Sequence, residues 1–178
     1  MTEKKPFADQ WESSTTLFGI WIGSVDVIRI KKNQDFEKMT KEILADMFKN
    51  VENLYKTGAR NFLILDIFQL DDTPYNKSGK VDFLKDDITY YNNLLKKNVE
   101  KFFKSKKDVN IFYYDINSLV TDIISNCKDY GLDNCVDAYN LNKDKDVKGF
   151  LWSDFTHTTY TANAIFTENI ETLLKTKN

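Results

Sequence analysis

Asn61-Phe62-Leu63-Ile64-Leu65-Asp66-Ile67-Phe68 is an apolar run interrupted by a single acid. A strand with one face in water alternates apolar and polar side chains. A run without that alternation belongs to a strand buried on both faces, as in parallel sheets covered by helices. The same pattern stands on either side of it. Upstream, Leu17-Phe18-Gly19-Ile20-Trp21-Ile22-Gly23 leads to the acid Asp26, and downstream Val109-Asn110-Ile111-Phe112-Tyr113-Tyr114 ends at Asp115. Each of the three is read as a strand with both faces covered.

The stretches between them carry helical periodicity. Phe36, Met39, Ile43, Met47, Val51 and Leu54 recur at spacings of three and four, with Gly58 placed to end the helix. Ile88, Tyr91, Leu95, Val99 and Phe102 form a second stripe, after a polar loop containing Pro74 and Gly79. Ala162, Ile165, Phe166, Ile170 and Leu173 place a third helix between Thr159 and Lys175. Strands alternating with helices imply right-handed crossovers and an α/β fold with a parallel sheet. No composition break or Pro/Gly-rich linker divides the chain, so residues 17–178 are expected as one domain after an N-terminal arm, residues 1–16. In such sheets ligands gather at the carboxyl ends of the strands. Those ends fall at Gly23 to Asp26, Gln69 to Asp72 and Asp115 to Ser118.

Composition narrows the function. With 178 residues, 42% of them apolar and 14% aromatic, the chain can bury a sizeable core. Its 25 basic and 27 acidic residues are interspersed, giving a net charge of -2 and no basic block to follow a phosphate backbone, so no nucleic-acid partner is expected. No apolar stretch approaches the ~20 residues of a membrane-spanning helix. The opening MTEKKPFADQ lacks the hydrophobic core of a signal peptide, so the chain as written reads as soluble and cytoplasmic.

There is no phosphate loop, dinucleotide fingerprint or HExxH helix, and neither cofactor nor metal is expected. Cys127 and Cys135 lie eight residues apart, compatible with a small disulfide or with two free thiols. Asn76-Lys77-Ser78 is a glycosylation sequon, meaningful only in a secreted chain. Asp71-Asp72 reads as a solvated turn before Pro74 rather than a metal or sugar contact. Tyr90, Tyr91, Phe102, Phe103, Phe112, Tyr113 and Tyr114 fall mostly at helix or strand spacing and are expected in the core.

Two segments carry a family resemblance. Phe18-Gly19-Ile20-Trp21-Ile22-Gly23-Ser24-Val25-Asp26 resembles the third conserved block of the GDSL/SGNH hydrolases, a strand ending in Gly-x-Asn-Asp. Leu151-Trp152-Ser153-Asp154-Phe155-Thr156-His157-Thr158-Thr159 resembles their fifth block, Trp-x-Asp-x-x-His-Pro-Thr, in the form found in fungal acetylesterase-type carbohydrate esterases. Tyr113 to Asn117 and Tyr130 to Cys135 are similar to the stretch joining the two blocks. The resemblance covers the chain from about Leu17 onward and implies a three-layer α/β/α fold. It also implies a small acyl ester or acetylated sugar as substrate, with Asp154 and His157 as the catalytic pair.

Serine is a weak nucleophile until a base takes its proton, and imidazole suits that work near neutrality. A carboxylate beside the ring fixes its tautomer and stabilises the imidazolium. His157, the only histidine, is the candidate base, and Asp154, three residues earlier, its orienter. The family's Gly-Asp-Ser block, which carries the nucleophile upstream of the third block, has no match here. Only 16 residues precede Leu17, and their Ser13 and Ser14 lack a flanking strand and helix.

Gly23, Val25 and Asp26 mark the oxyanion region, with Val25 where the family has an Asn donor and Asp26 in a local role at the strand end. A lost donor typically costs ~10²–10³ in turnover. Ser24 is the only nearby hydroxyl, and on a strand it would point away from its neighbour's side. Thr158 replaces the Pro after the His. The expectation is a carboxylester hydrolase family member, truncated, lacking the first strands and weakly active or inactive. The alternative is a pseudoenzyme acting as a binding or scaffold protein. A sheet missing strands exposes an edge, and self-association through it is expected.

Overall fold

The computed structural model describes residues 11–30, 34–77 and 85–176. Ser78 of the sequon, Gly79 and residues 1–10 of the N-terminal arm lie outside them. In chain order the elements are β1 (Leu17–Ile20), α1 (Ser24–Arg29), α2 (Phe36–Lys56), β2 (Asn61–Leu65), α3 (Pro74–Lys77), α4 (Lys85–Ser105), β3 (Asn110–Tyr114), α5 (Ile116–Ser125), β4 (Asn134–Ala138), β5 (Phe150–Trp152) and α6 (Tyr160–Lys175).

The expected strands form one parallel sheet in the order β1-β2-β3, with Leu17 opposite Asn61 and Asn61 opposite Asn110. β4 and β5 pair parallel in a second, two-stranded sheet that the sequence pattern did not reveal. Tyr113 of β3 meets Lys96 of α4, whereas the alternate Phe112 shares a cleft with Leu174 of α6. Successive strand residues point to opposite faces. α4 and α6 therefore cover opposite sides, and the fold is α/β/α.

The helix stripes turn inward as their periodicity predicts. Ile88, Tyr91, Leu95, Val99 and Phe102 of α4 are all buried, while in the α2 stripe Met47 and Val51 are buried, Phe36, Met39, Ile43 and Leu54 are half-buried, and Leu44, outside the expected stripe, is buried beside them. Asp35 caps α2 by accepting the amide of Lys38 at 2.9 Å, and Asp115 caps α5 through the amide of Ser118 at 2.8 Å. Gly58 follows α2 at φ 106°, in the left-handed region, and its amide bonds back to Tyr55.

Several expectations need correction. The upstream run, expected as a strand with both faces covered, is not: β1 stops at Ile20, only Phe18 and Ile20 are half-buried, and Leu17, Trp21 and Ile22 are exposed at 39%, 42% and 52%. β1 pairs only with β2, so among the described residues the sheet edge beside it is unpaired. Pro74 starts a short helix rather than sitting in a loop. The turn at Asp71-Asp72 is half-buried rather than solvated, with Asp71 Oδ1 buried and without a hydrogen bond from the described residues. Of the aromatics expected inside, Tyr91 and Phe102 are buried, but Phe103 is 46% exposed.

Between the two readings of the cysteines, the structure takes the bridge. Cys127 and Cys135 form a disulfide with Cα atoms 5.9 Å apart, tying the turn after α5 to β4.

Candidate active site

The loop from β5 to α6 is built around one carboxylate. Asp154 Oδ1 accepts the amides of Thr156 and His157, each at 2.9 Å, which curls residues 154–157 into a tight turn. The turn is closed from β5, because the amide of Ser153 donates to the carbonyl of His157 at 2.8 Å. Thr159 then anchors the exit. Its hydroxyl lies 2.6 Å from the carbonyl of Phe150 and caps α6 by accepting the amide of Ala162 at 3.2 Å. Beneath the loop, Trp152 is fully buried and donates its indole N–H to the carbonyl of Cys135 at 3.0 Å. The disulfide and the indole thus brace the β4–β5 sheet that carries the loop.

This turn brings the imidazole back onto the same carboxylate. His157 Nδ1 lies 3.0 Å from Asp154 Oδ1 and 2.9 Å from Oδ2. Burial alone would push the Asp154 carboxyl up, but the Thr156 and His157 amides and the imidazole outweigh it and hold the group below the usual carboxylate range. All hydrogen bonds to the ring from the described residues fall on Nδ1, including a long contact with the Thr156 hydroxyl at 3.4 Å. Nε2 has no hydrogen-bond partner among the described residues, and the exposed ring of His157 lines a cleft.

That cleft has a volume of about 380 Å³. Trp21, Val25, Ile28, Phe68 and Leu70 give it apolar walls, and Ser24, Thr156, Thr158 and Asn163 add hydroxyl and amide groups around His157. Trp21 is wedged edge-on against Phe68 and Phe166, with ring centroids 6.3 and 6.4 Å away.

The structure relocates the expected oxyanion residues. Gly23 is not the end of a strand. It sits at φ 119° and caps α1, the short helix that holds Ser24, Val25 and Asp26. Tyr91 donates its hydroxyl to the carbonyl of Ile22 at 3.1 Å and presses so closely that a Cβ on Gly23 would stand 2.1 Å from its oxygen. Glycine is required there both by φ and by space.

Because these residues are helical, strand alternation does not separate them, and Ser24 and Val25 line the cleft together. Asp26 is exposed in the first turn of α1 rather than at a strand end. Ser13 and Ser14 lie in a turn before the amino end of β1, where Ser14 borders a different cleft with Asn110 and Leu174. Ser24, Ile28, Phe68, Leu70 and Asn163 were not legible as neighbours of His157, since only the tertiary fold brings α1, the segment after β2 and α6 together. Among the described residues no group of three or more His, Cys, Asp or Glu is placed to hold a metal ion. No helix among them is long and apolar enough to cross a membrane.

The family model described as GDSL-like Lipase/Acylhydrolase matches residues 3–170, and the chain belongs to that family. It is also similar to an acetylesterase of Thermothelomyces thermophilus, 28% identical over 160 residues that cover 86% of this chain and 51% of the relative. The chain thus spans about half the length of that relative. The resemblance read from the third and fifth blocks is borne out at the level of the family.

Proposed function

We propose that the His157 cleft is the acyl-ester site of a carboxylester hydrolase, with His157 as base and then acid and Asp154 as its orienter. The observation that carries the reading is the imidazole held through Nδ1 by both oxygens of Asp154, at the wall of a largely apolar cleft and with Nε2 unbonded among the described residues. In ester hydrolysis by this chemistry Nε2 takes the proton of an attacking hydroxyl as the tetrahedral intermediate forms. It returns the proton to the departing alcohol, and water then completes the cycle. Trp21, Val25, Phe68 and Leu70 would receive the acyl group of a small ester or an acetylated sugar.

Among the described residues the machinery is incomplete. No hydroxyl of the described residues is hydrogen-bonded to Nε2, and Val25 offers no donor to an oxyanion. The chain alone is therefore weakly active or inactive toward esters, and the open edge of β1 is where a second copy or a strand-bearing partner would complete the sheet. Val25 also supports a second reading, in which the cleft binds an acyl group without turning it over. The test is release of p-nitrophenol from p-nitrophenyl acetate by the isolated chain. Turnover indistinguishable from His157→Ala is expected, and turnover that His157→Ala abolishes would overturn the reading of an incomplete site.

A further inference from the structure

After β2 the chain stays buried without being a strand. Every residue from Phe62 to Leu70 is buried, yet β2 ends at Leu65. Buried backbone outside a ladder must find other partners for its N–H and C=O groups. Here side chains supply them. Asn92 of α4 accepts the amide of Ile67 at 3.1 Å and donates to its carbonyl at 2.7 Å. Asn117 of α5 accepts the amide of Gln69 at 2.9 Å. Thr73 donates to the carbonyl of Leu70 at 2.6 Å.

Asp66 stands at the root of this segment, 2% exposed. Its Oδ2 accepts the Tyr113 hydroxyl at 3.0 Å and its Oδ1 the amide of Asn117 at 3.1 Å. The residue that tethers Gln69 by its side chain is therefore itself held to Asp66 by its backbone. Two residues on, Phe68 and Leu70 form a wall of the His157 cleft, and Phe68 packs on Trp152 and Trp21 with centroids 5.5 and 6.3 Å away.

We propose that Asp66 is a positioning residue for the His157 cleft: through Asn117 and Gln69 its carboxyl sets the Phe68–Leu70 wall, and its ionisation shifts that wall. Among the described residues, the donors that reach the carboxyl are neutral. The charged or titratable groups around it are Tyr113 and Tyr114 of β3, Asp115 in the turn after it, and Lys96 on α4, which borders the same small polar cavity. Burial, opposed by the Asn117 amide and reinforced by the Asp115 charge, pushes the Asp66 carboxyl up to about 7. The switch thus operates near neutrality, whether or not the cleft turns over esters.

The experiment is carried out in the full chain carrying His157→Ala, which removes its one imidazole from the titration. Asp66 protonation is followed by its side-chain carboxyl ¹³C shift, and the wall by the near-ultraviolet circular dichroism of the tryptophans that Phe68 touches. Both signals are expected to change together with a midpoint near pH 7, and the dichroism step should vanish on adding Asp66→Asn. Asn117→Ala provides a second variant: Asp66 should still titrate while the dichroism step is lost. A dichroism signal flat across pH 5–9 in the His157→Ala chain, or a step that survives Asp66→Asn or Asn117→Ala unchanged, would overturn the proposal. Neither result bears on ester hydrolysis, which is read separately.

Discussion

Replacing Gly23 with Ala adds one methyl group where the structure has no room and no conformational tolerance. At φ 119° an L side chain is strained, which costs about 1–2 kcal/mol. The new Cβ would lie 2.1 Å from the Tyr91 oxygen and 2.4 Å from the adjoining ring carbon. Tyr91 is completely buried and cannot swing aside, so α1 or the ring must shift. Such overpacking costs about 1–3 kcal/mol, and the Tyr91 to Ile22 hydrogen bond, worth about 1 kcal/mol, is lost with it.

The expected total is on the order of 4 kcal/mol, or a fall in Tm of roughly 10 °C for a chain of this size. Urea denaturation and a thermal melt by circular dichroism measure it. In the double variant Gly23→Ala/Tyr91→Ala the clash has no partner, and its cost should fall short of the summed single costs by about 2 kcal/mol. A Gly23→Ala chain within about 1 kcal/mol of the parent, or strict additivity in the double variant, would refute this account of the α1 cap.

Other consequences are open to direct measurement. Because Asp66 titrates near 7 in the folded chain but near 3.8 when free, the native state holds a proton that the unfolded state has released between those values. Stability should fall as pH rises through that window, by about 4 kcal/mol in all, and level off above it. The difference between parent and Asp66→Asn in denaturant titrations isolates this slope, and a constant difference from pH 4 to 8 would contradict it. The Cys127–Cys135 bridge closes a short loop, so Cys135→Ser should cost about 2–3 kcal/mol, and the intact mass under non-reducing conditions should be two hydrogens below the reduced mass. With the edge of β1 open, light scattering should find dimers or larger species. A monodisperse monomer with a cooperative melt would contradict the expectation that this edge seeks a partner.

The parts of the fold legible in the sequence are those with long, unambiguous periods. The stripes of α2, α4 and α6 turn inward as their spacing indicates, and β2 is covered on both faces, whereas β3, read in the same way, is only half-buried from Ile111 to Tyr114. β4 and β5 were invisible for a physical reason: Asn134–Ala138 is partly polar, and Phe150–Trp152 spans only three residues. The run from Leu17 misled because an edge strand and the turn after it can be apolar without being covered.

At the site, Asp154 and His157 were readable because one short turn places both. Ser24 and Val25 were separated by an assumption of strand geometry that Gly23, in its left-handed conformation, cancels by starting a helix. Asp66 passed unnoticed as a single acid at the end of an apolar run. Its importance comes from Tyr113 and Asn117, about fifty residues away along the chain.

Complementation tests whether the Asp154–His157 pair acts as a base once a nucleophile is supplied. The chain is mixed with a peptide bearing the Gly-Asp-Ser block of a relative, and hydrolysis of p-nitrophenyl acetate is followed. Turnover above the sum of the separate components is expected, lost with His157→Ala and strongly reduced with Asp154→Asn. Turnover equal in the parent and His157→Ala chains, with the peptide demonstrably bound, would contradict it.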